Sequence, residues 1–175
     1  LEFRRVLFRS RARLEWLPQA TILFDGARVE RRLDVEISAD AHLLMLECVV
    51  FGRAAMGETQ VSGAFHDRWR VRRGDELVFA DDLRLKGSLT DVLDRPACGA
   101  GARSIATLLI VSPQAEAKLD GVREQLDSAR CEWGASAWNG MLVARFVSPS
   151  PEYQRAAIVM SLRALFGGGA PRVWQ

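Results

Sequence analysis

Few side chains in this chain are placed to do chemistry, and the most conspicuous is Glu47. It is the one charged residue in the apolar run Leu43 to Phe51. A carboxylate among Leu, Met and Val must find a partner or take up a proton. Two roles fit it. It can line a wet passage for a cation, or it can be a structural carboxylate paired with an arginine such as Arg53. Cys48 is next in sequence, but neighbouring strand residues point to opposite faces, so the two cannot line one channel. Glu58 is the second acid that could border such a path. Nothing in the run has the spacing of a nucleophile, a metal cage or a phosphate loop.

The remaining reactive types are dispersed. Cys48, Cys98 and Cys131 are odd in number and widely spaced, which fits a reducing cytoplasm and three small, unreactive thiols. No CxxC, HxH or HExxH occurs, and His42 and His66 fall on polar faces of strands. A zinc site made by this chain alone is not expected. Asp81 and Asp82 could run acid–base chemistry in a β-rich hydrolase, the competing reading. Adjacent strand residues diverge, which counts against that pair. Gly52-Arg53 and Gly57-Glu58 set a tight turn, with Arg53 a carboxylate clamp. Arg68, Arg70 and Arg72 alternate along one strand face, as a docking surface for an acidic partner or a solvated face would.

Strands must position these groups. Arg11 to Trp16 reads as a strand with Leu14 and Trp16 on one face, broken at Leu17-Pro18-Gln19. Thr21 to Phe24 is a second, and Asp25-Gly26 turns it into a third as in a hairpin. Arg28 to Ile37 alternates, with Val29, Leu33, Val35 and Ile37 on one face and Arg31 interrupting. Ala41 to Phe51 is apolar on both faces and so covered on both. In Thr59 to Arg73, Val61, Phe65, Trp69 and Val71 share a parity with Gly63 and Asp67. After Gly74-Asp75, the residues Leu77, Phe79, Leu83 and Leu85 continue the pattern. Gly87 to Ser104 reads as a loop, and Ile105 to Val111 as a buried strand. Ser112-Pro113 and Ser150-Pro151 each open a helix. Between them, Cys131 to Ser136 and Met141 to Val147 are strands joined at Asn139-Gly140. The expected fold is mainly β, with two late α-helices.

Residues 1–10, LEFRRVLFRS, lack this patterning and read as a translated sequencing adapter. The expected native part is one domain over 11–175. The chain has 24 basic and 22 acidic residues. Setting aside Arg4, Arg5, Arg9 and Glu2 leaves the rest formally neutral, and nucleic-acid or anionic-membrane binding loses its support. No apolar run is long enough to cross a membrane.

LEWLPQATILFDGA (Leu14 to Ala27), FGRAAMGE (Phe51 to Glu58), RWRV (Arg68 to Val71) and PRVWQ (Pro171 to Gln175) together resemble the urease accessory protein family UreD, also called UreH. The order of the motifs, over 11–175, carries the resemblance. Trp16, Pro18, Gly52, Arg53, Gly57 and Glu58 lie in them. Ala20 departs from it, since an acid often follows WLPQ. The resemblance implies a β-helix-like coil of strands lacking the N-terminal part of the family domain. It implies a scaffold, not an enzyme, that binds UreF and through it the GTPase UreG. That assembly docks on apo-urease in the cytoplasm and delivers nickel. Nickel would transit without a tightly bound cofactor, past Glu47 and Glu58. Arg172 and Trp174, in the terminal tail, join Arg68, Arg70 and Arg72 as candidate partner contacts.

Overall fold

The computed structural model describes residues 2–8 as main chain only, and 11–167 and 169–175 in full. The strands are β1 (Glu2–Phe8), β2 (Arg13–Trp16), β3 (Thr21–Leu23), β4 (Arg28–Ile37), β5 (His42–Phe51), β6 (Ser62–Arg73), β7 (Glu76–Ser88), β8 (Ser104–Val111), β9 (Glu132–Trp138) and β10 (Met141–Ser148). The α-helices are α1 (Leu89–Asp94), α2 (Leu119–Leu126) and α3 (Pro151–Phe166).

Two sheets face each other. One runs β1-β4-β6-β7, the other β2-β5-β8-β10-β9, with β3 added to the same side of β5 as β2. From β3 to β6 the chain alternates between the sheets, and each return is parallel: β3 to β5, β4 to β6. From β7 onward the pairings are antiparallel. The parallel returns extend no further, and neither sheet closes on itself. The fold is thus mainly β with three helices. α2 and α3 cover the far side of the six-stranded sheet, through Val122, Leu126, Ile158 and Leu162.

Several expectations change. Asp25-Gly26 does not make a hairpin, because β3 and β4 belong to different sheets. Its turn is instead pinned to the start of β6: Gly26 N–H donates to Ser62 O, and Ser62 N–H donates to Asp25 Oδ1. A bulge between Val71 and Arg72 shifts the register of β7. Leu77 therefore points outward and is 43% exposed, while Phe79 keeps its inner place. The loop expected after Gly87 contains α1, whose cap is Ser88 Oγ accepting from Asp91 N–H. Ser112-Pro113 begins only a turn; a 3-10 segment at Glu116–Lys118 leads into α2. The carboxylate of Glu116 is drawn off to Gly140 N–H, 2.7 Å away. β1, set aside in sequence, runs parallel along β4. Such pairing uses backbone groups that any extended segment owns.

Candidate functional site

β5 ends in a buried Gly52 at φ +89°, where a Cβ would lie 3.0 Å from both Glu58 O and a methyl of Val61. That turn fixes the end of the strand and the parity of everything before it. Leu44, Leu46 and Cys48 face the helices, while Leu43, Met45, Val49 and Phe51 face the four-stranded sheet. Glu47 shares the second parity and is 7% exposed.

Opposite it stand two charged residues on the apolar faces of β4 and β6, Arg31 and Asp67. Arg31 and Asp67 are direct cross-strand partners, and both are buried. Arg31 Nη1 donates to Glu47 Oε2 at 2.7 Å, and Nη2 donates to Asp67 Oδ2 at 2.6 Å. Nη1 also donates to Thr21 Oγ1 at 3.1 Å. Trp16 Nε1 donates to Glu47 Oε1 at 2.8 Å, and Trp69 Nε1 to Asp67 Oδ2 at 3.2 Å. The guanidinium also lies over Phe65, 5.3 Å from its ring centre. Thus one cation holds a carboxylate of its own sheet, Asp67, and one of the facing sheet, Glu47. Burial pushes the Glu47 carboxyl above its ordinary range; Arg31 and the Trp16 hydrogen bond pull it back only in part.

Glu47 borders two cavities. A small one of about 130 Å³ holds Trp16, Pro18, Thr21 and Arg31 on its wall. A larger one of about 350 Å³ is lined by Asp67, Asp81, Thr107 and Arg145. Asp67 Oδ1 and Arg31 Nε are buried with no hydrogen-bond partner among the described residues. Atoms of that kind are normally satisfied by water, and a polar cavity of this size has room for it.

Glu47 is thus paired with an arginine, as expected, but the partner is Arg31 and not Arg53. Arg53 lies beyond the end of β5 and clamps Glu58 instead, with Nη2 3.2 Å from Oε1. Glu58 also accepts the N–H groups of Asp25 at 2.9 Å and Arg53 at 2.8 Å. These donors hold its carboxyl at about 2. Gly57 caps the short 3-10 turn between them in the left-handed conformation. Glu47 and Glu58 share no partner and no cavity wall among the described residues. The signal for the true partner was in the sequence: opposite charges, Arg31 and Asp67, interrupting two apolar faces.

The other candidates separate. Cys48 is buried, donates to Gln154 Oε1 at 2.9 Å, and has its thiol pushed up to about 12 by burial. Cys98 is exposed, and Cys131 half-buried. His42 is exposed; His66 meets Asp82 at 3.0 Å on the outer face. Asp81 turns inward to Arg145 at 3.0 Å, while Asp82 takes Arg84 at 2.8 Å outside. Both line the larger cavity, but each is engaged by a different arginine. Arg68, Arg70 and Arg72 do line one outer groove, with Arg32, Asp34 and Glu36. Arg172 is exposed, but Trp174 is not an exposed anchor. It is 2% exposed, packs into the helix-side core and donates from Nε1 to Leu17 O at 3.1 Å. Among the described residues, no three His, Cys, Asp or Glu side chains cluster as a metal cage, and no helix is long and apolar enough to cross a membrane.

The class is a mainly β protein with a charged triad, Arg31, Glu47 and Asp67, buried between its sheets. The chain belongs to the family described as UreD urease accessory protein, whose model matches residues 5–175. It is 51% identical over 170 residues to urease accessory protein UreD of Methylobacterium sp. (strain 4-46), covering 94% of this chain and 60% of that protein. It is 48% identical to UreD of Xanthobacter autotrophicus, covering 97% of this chain and 59% of that protein. It is also 48% identical to UreD of Azorhizobium caulinodans, covering 93% and 60%. The chain spans about 60% of the length of these relatives.

Proposed function

We propose that this chain is part of a urease maturation scaffold that works by holding other proteins and catalyses nothing itself. Its partners in this reading are UreF, the GTPase UreG through UreF, and apo-urease, in the cytoplasm. Nickel is cargo that passes through the assembly, and no metal resides in the chain. Family membership supports the urease role. The three free cysteines suit a reducing compartment.

One observation carries the passage. Glu47 and Arg31 border a cavity on one side, Glu47 and Asp67 border another, and orphaned polar atoms call for water there. A hydrated divalent cation is stabilised beside carboxylates in such a wet gap and repelled by Arg31. Glu47 and Asp67 thus offset the guanidinium, and a cation passing must weaken their bonds to it. Glu58 stays on the list only as a loop anchor, since four donors already hold it. The outer-groove arginines Arg68, Arg70 and Arg72, the first two half-buried, and the exposed Arg172 are the proposed partner contacts.

The test uses the full-length protein that contains this chain, produced with UreF, UreG and urease. Glu47→Gln keeps the shape and one acceptor oxygen, enough for Trp16 or Arg31 but not for both, and removes the charge. The expected result is normal capture of UreF with at least tenfold less nickel in urease. Full activation would remove the passage role. Failure of the unmodified complete protein to capture UreF would remove the scaffold role.

A further inference from the structure

A separate pocket of about 290 Å³ lies on the helix side of the six-stranded sheet, beyond the C-terminal end of α3. Its apolar wall includes Leu44, Ile110, Leu165 and Phe166. Its mouth holds Arg13, His42 and Lys118, and no acid lines it. Arg13 and His42 are cross-strand partners on β2 and β5, so their side chains leave the sheet together. The Arg13 guanidinium lies 5.8 Å from the centre of the Phe166 ring and shares Glu15 at 2.7 Å. Lys118 is half-buried, and neither it nor the His42 ring has an ion pair or hydrogen bond among the described residues. Basic side chains that meet at one mouth with no acid on its lining would hold an anion by charge-assisted hydrogen bonds.

We propose that this pocket binds a small amphipathic carboxylate. The anionic head sits among Arg13, His42 and Lys118, and the apolar arm packs on Leu165 and Phe166. The volume is at the lower limit for ligand pockets, so the arm is the size of a leucine or phenylalanine side chain and not a long acyl chain. A free branched acid and the last residue of a polypeptide share this chemistry. The inference is independent of the urease role.

Lys86 and Lys118 are the two lysines of the chain, which provides an internal control. Lysine acetylation of the full chain is followed by mass spectrometry with N-acetyl-leucine, its neutral amide, or 4-methylpentanoate present. The expected result is slower labelling of Lys118, unchanged labelling of Lys86, and no effect of the amide. Stronger protection by N-acetyl-leucine assigns a chain end; equal protection by 4-methylpentanoate assigns a free acid; either upholds the site. By calorimetry, Lys118→Met and His42→Gln each weaken binding, the lysine change by about tenfold, as expected for loss of one charge-assisted hydrogen bond. Unchanged melting of both variants shows that they fold. Equal protection by the amide, or none by either acid at millimolar concentration, overturns the proposal.

Discussion

β5 presents its two faces to two different interiors. Toward α2 and α3 the core is one apolar cluster, and its few buried polar groups are paired nearby. Cys48 donates to Gln154, Gln154 Nε2 donates to Phe146 O at 3.4 Å, and Ser161 Oγ donates to Ala157 O at 3.1 Å. Toward the four-stranded sheet the apolar contacts fall into two clusters, one around Trp69 and Val71, the other around Phe51 and Phe65. Arg31, Glu47 and Asp67 occupy the seam. A change of one residue along one strand moves from the first interior to the second. Parity alone therefore separates a layer built for cohesion from a layer that admits charge and water. Buried charge is a poor way to gain stability, since desolvation consumes most of the Coulombic attraction. The seam is better explained by use than by cohesion.

The largest expected effect tests the cohesive layer. Phe146 is 1% exposed within the helix-side cluster. Phe146→Ala leaves a cavity and costs about 3–5 kcal/mol, much of a small domain's stability. Denaturant unfolding of the purified variant, or its absence from the soluble fraction, checks this.

The seam should respond differently. Asp67→Ala removes one carboxylate from Arg31 but leaves Glu47, so the loss is about 3 kcal/mol, the lower end for a broken buried pair. Replacing all three together, Arg31→Met with Glu47→Leu and Asp67→Leu, leaves no unpaired charge, and the indole N–H groups of Trp16 and Trp69, which lose their acceptors, line the two cavities where water can replace them. That triple variant should be at least as stable as the parent, by up to about 4 kcal/mol, and defective in urease activation. A triple variant as unstable as Asp67→Ala would mean that the seam holds the sheets together, and the contrast between the layers would fail.

Much of this arrangement is legible in the sequence. The alternation from Val61 to Val71 gives β6 and its inner face, Asn139-Gly140 gives the β9–β10 turn, and Ser150-Pro151 gives the start of α3. Each is a local signal with a local cause. The misses are of two kinds. α1 is short, but Ser88 and Asp91 have the spacing of a capping pair, so its signal was present and unread. The β3–β4 connection and the outward Leu77 depend on which sheet a strand joins and on one bulge, and neither is encoded within a few residues. The charged seam of Arg31, Glu47 and Asp67 lies between these kinds. Arg31 and Asp67 are visible as interruptions, but their register with Glu47 comes only from the packing of two sheets. Trp174 misled because composition alone does not separate an interface tryptophan from one that covers a core.

The smallest expected effect sets the two glutamates against each other by pH. Glu58 has its carboxyl held at about 2, against an ordinary 4.5, by Arg53 and backbone N–H groups. Its folded state binds a proton less readily than the unfolded chain. Its contribution is present above pH 4.5 and is lost as pH falls toward 2. Glu47 is raised by burial, so its folded state binds a proton more readily. Its contribution is greatest at low pH and is lost as pH rises through its folded value. Melting temperatures of the parent, Glu58→Gln and Glu47→Gln across the acid range give the test. The parent's advantage over Glu58→Gln should shrink on acidification, while its standing relative to Glu47→Gln should improve. The Glu58 effect should also weaken with added salt, because solvent reaches that loop, whereas the Glu47 effect should persist. Slopes of the same sign would mean that Glu47 is held as firmly ionised as Glu58, and that the seam is no less satisfied than a surface clamp.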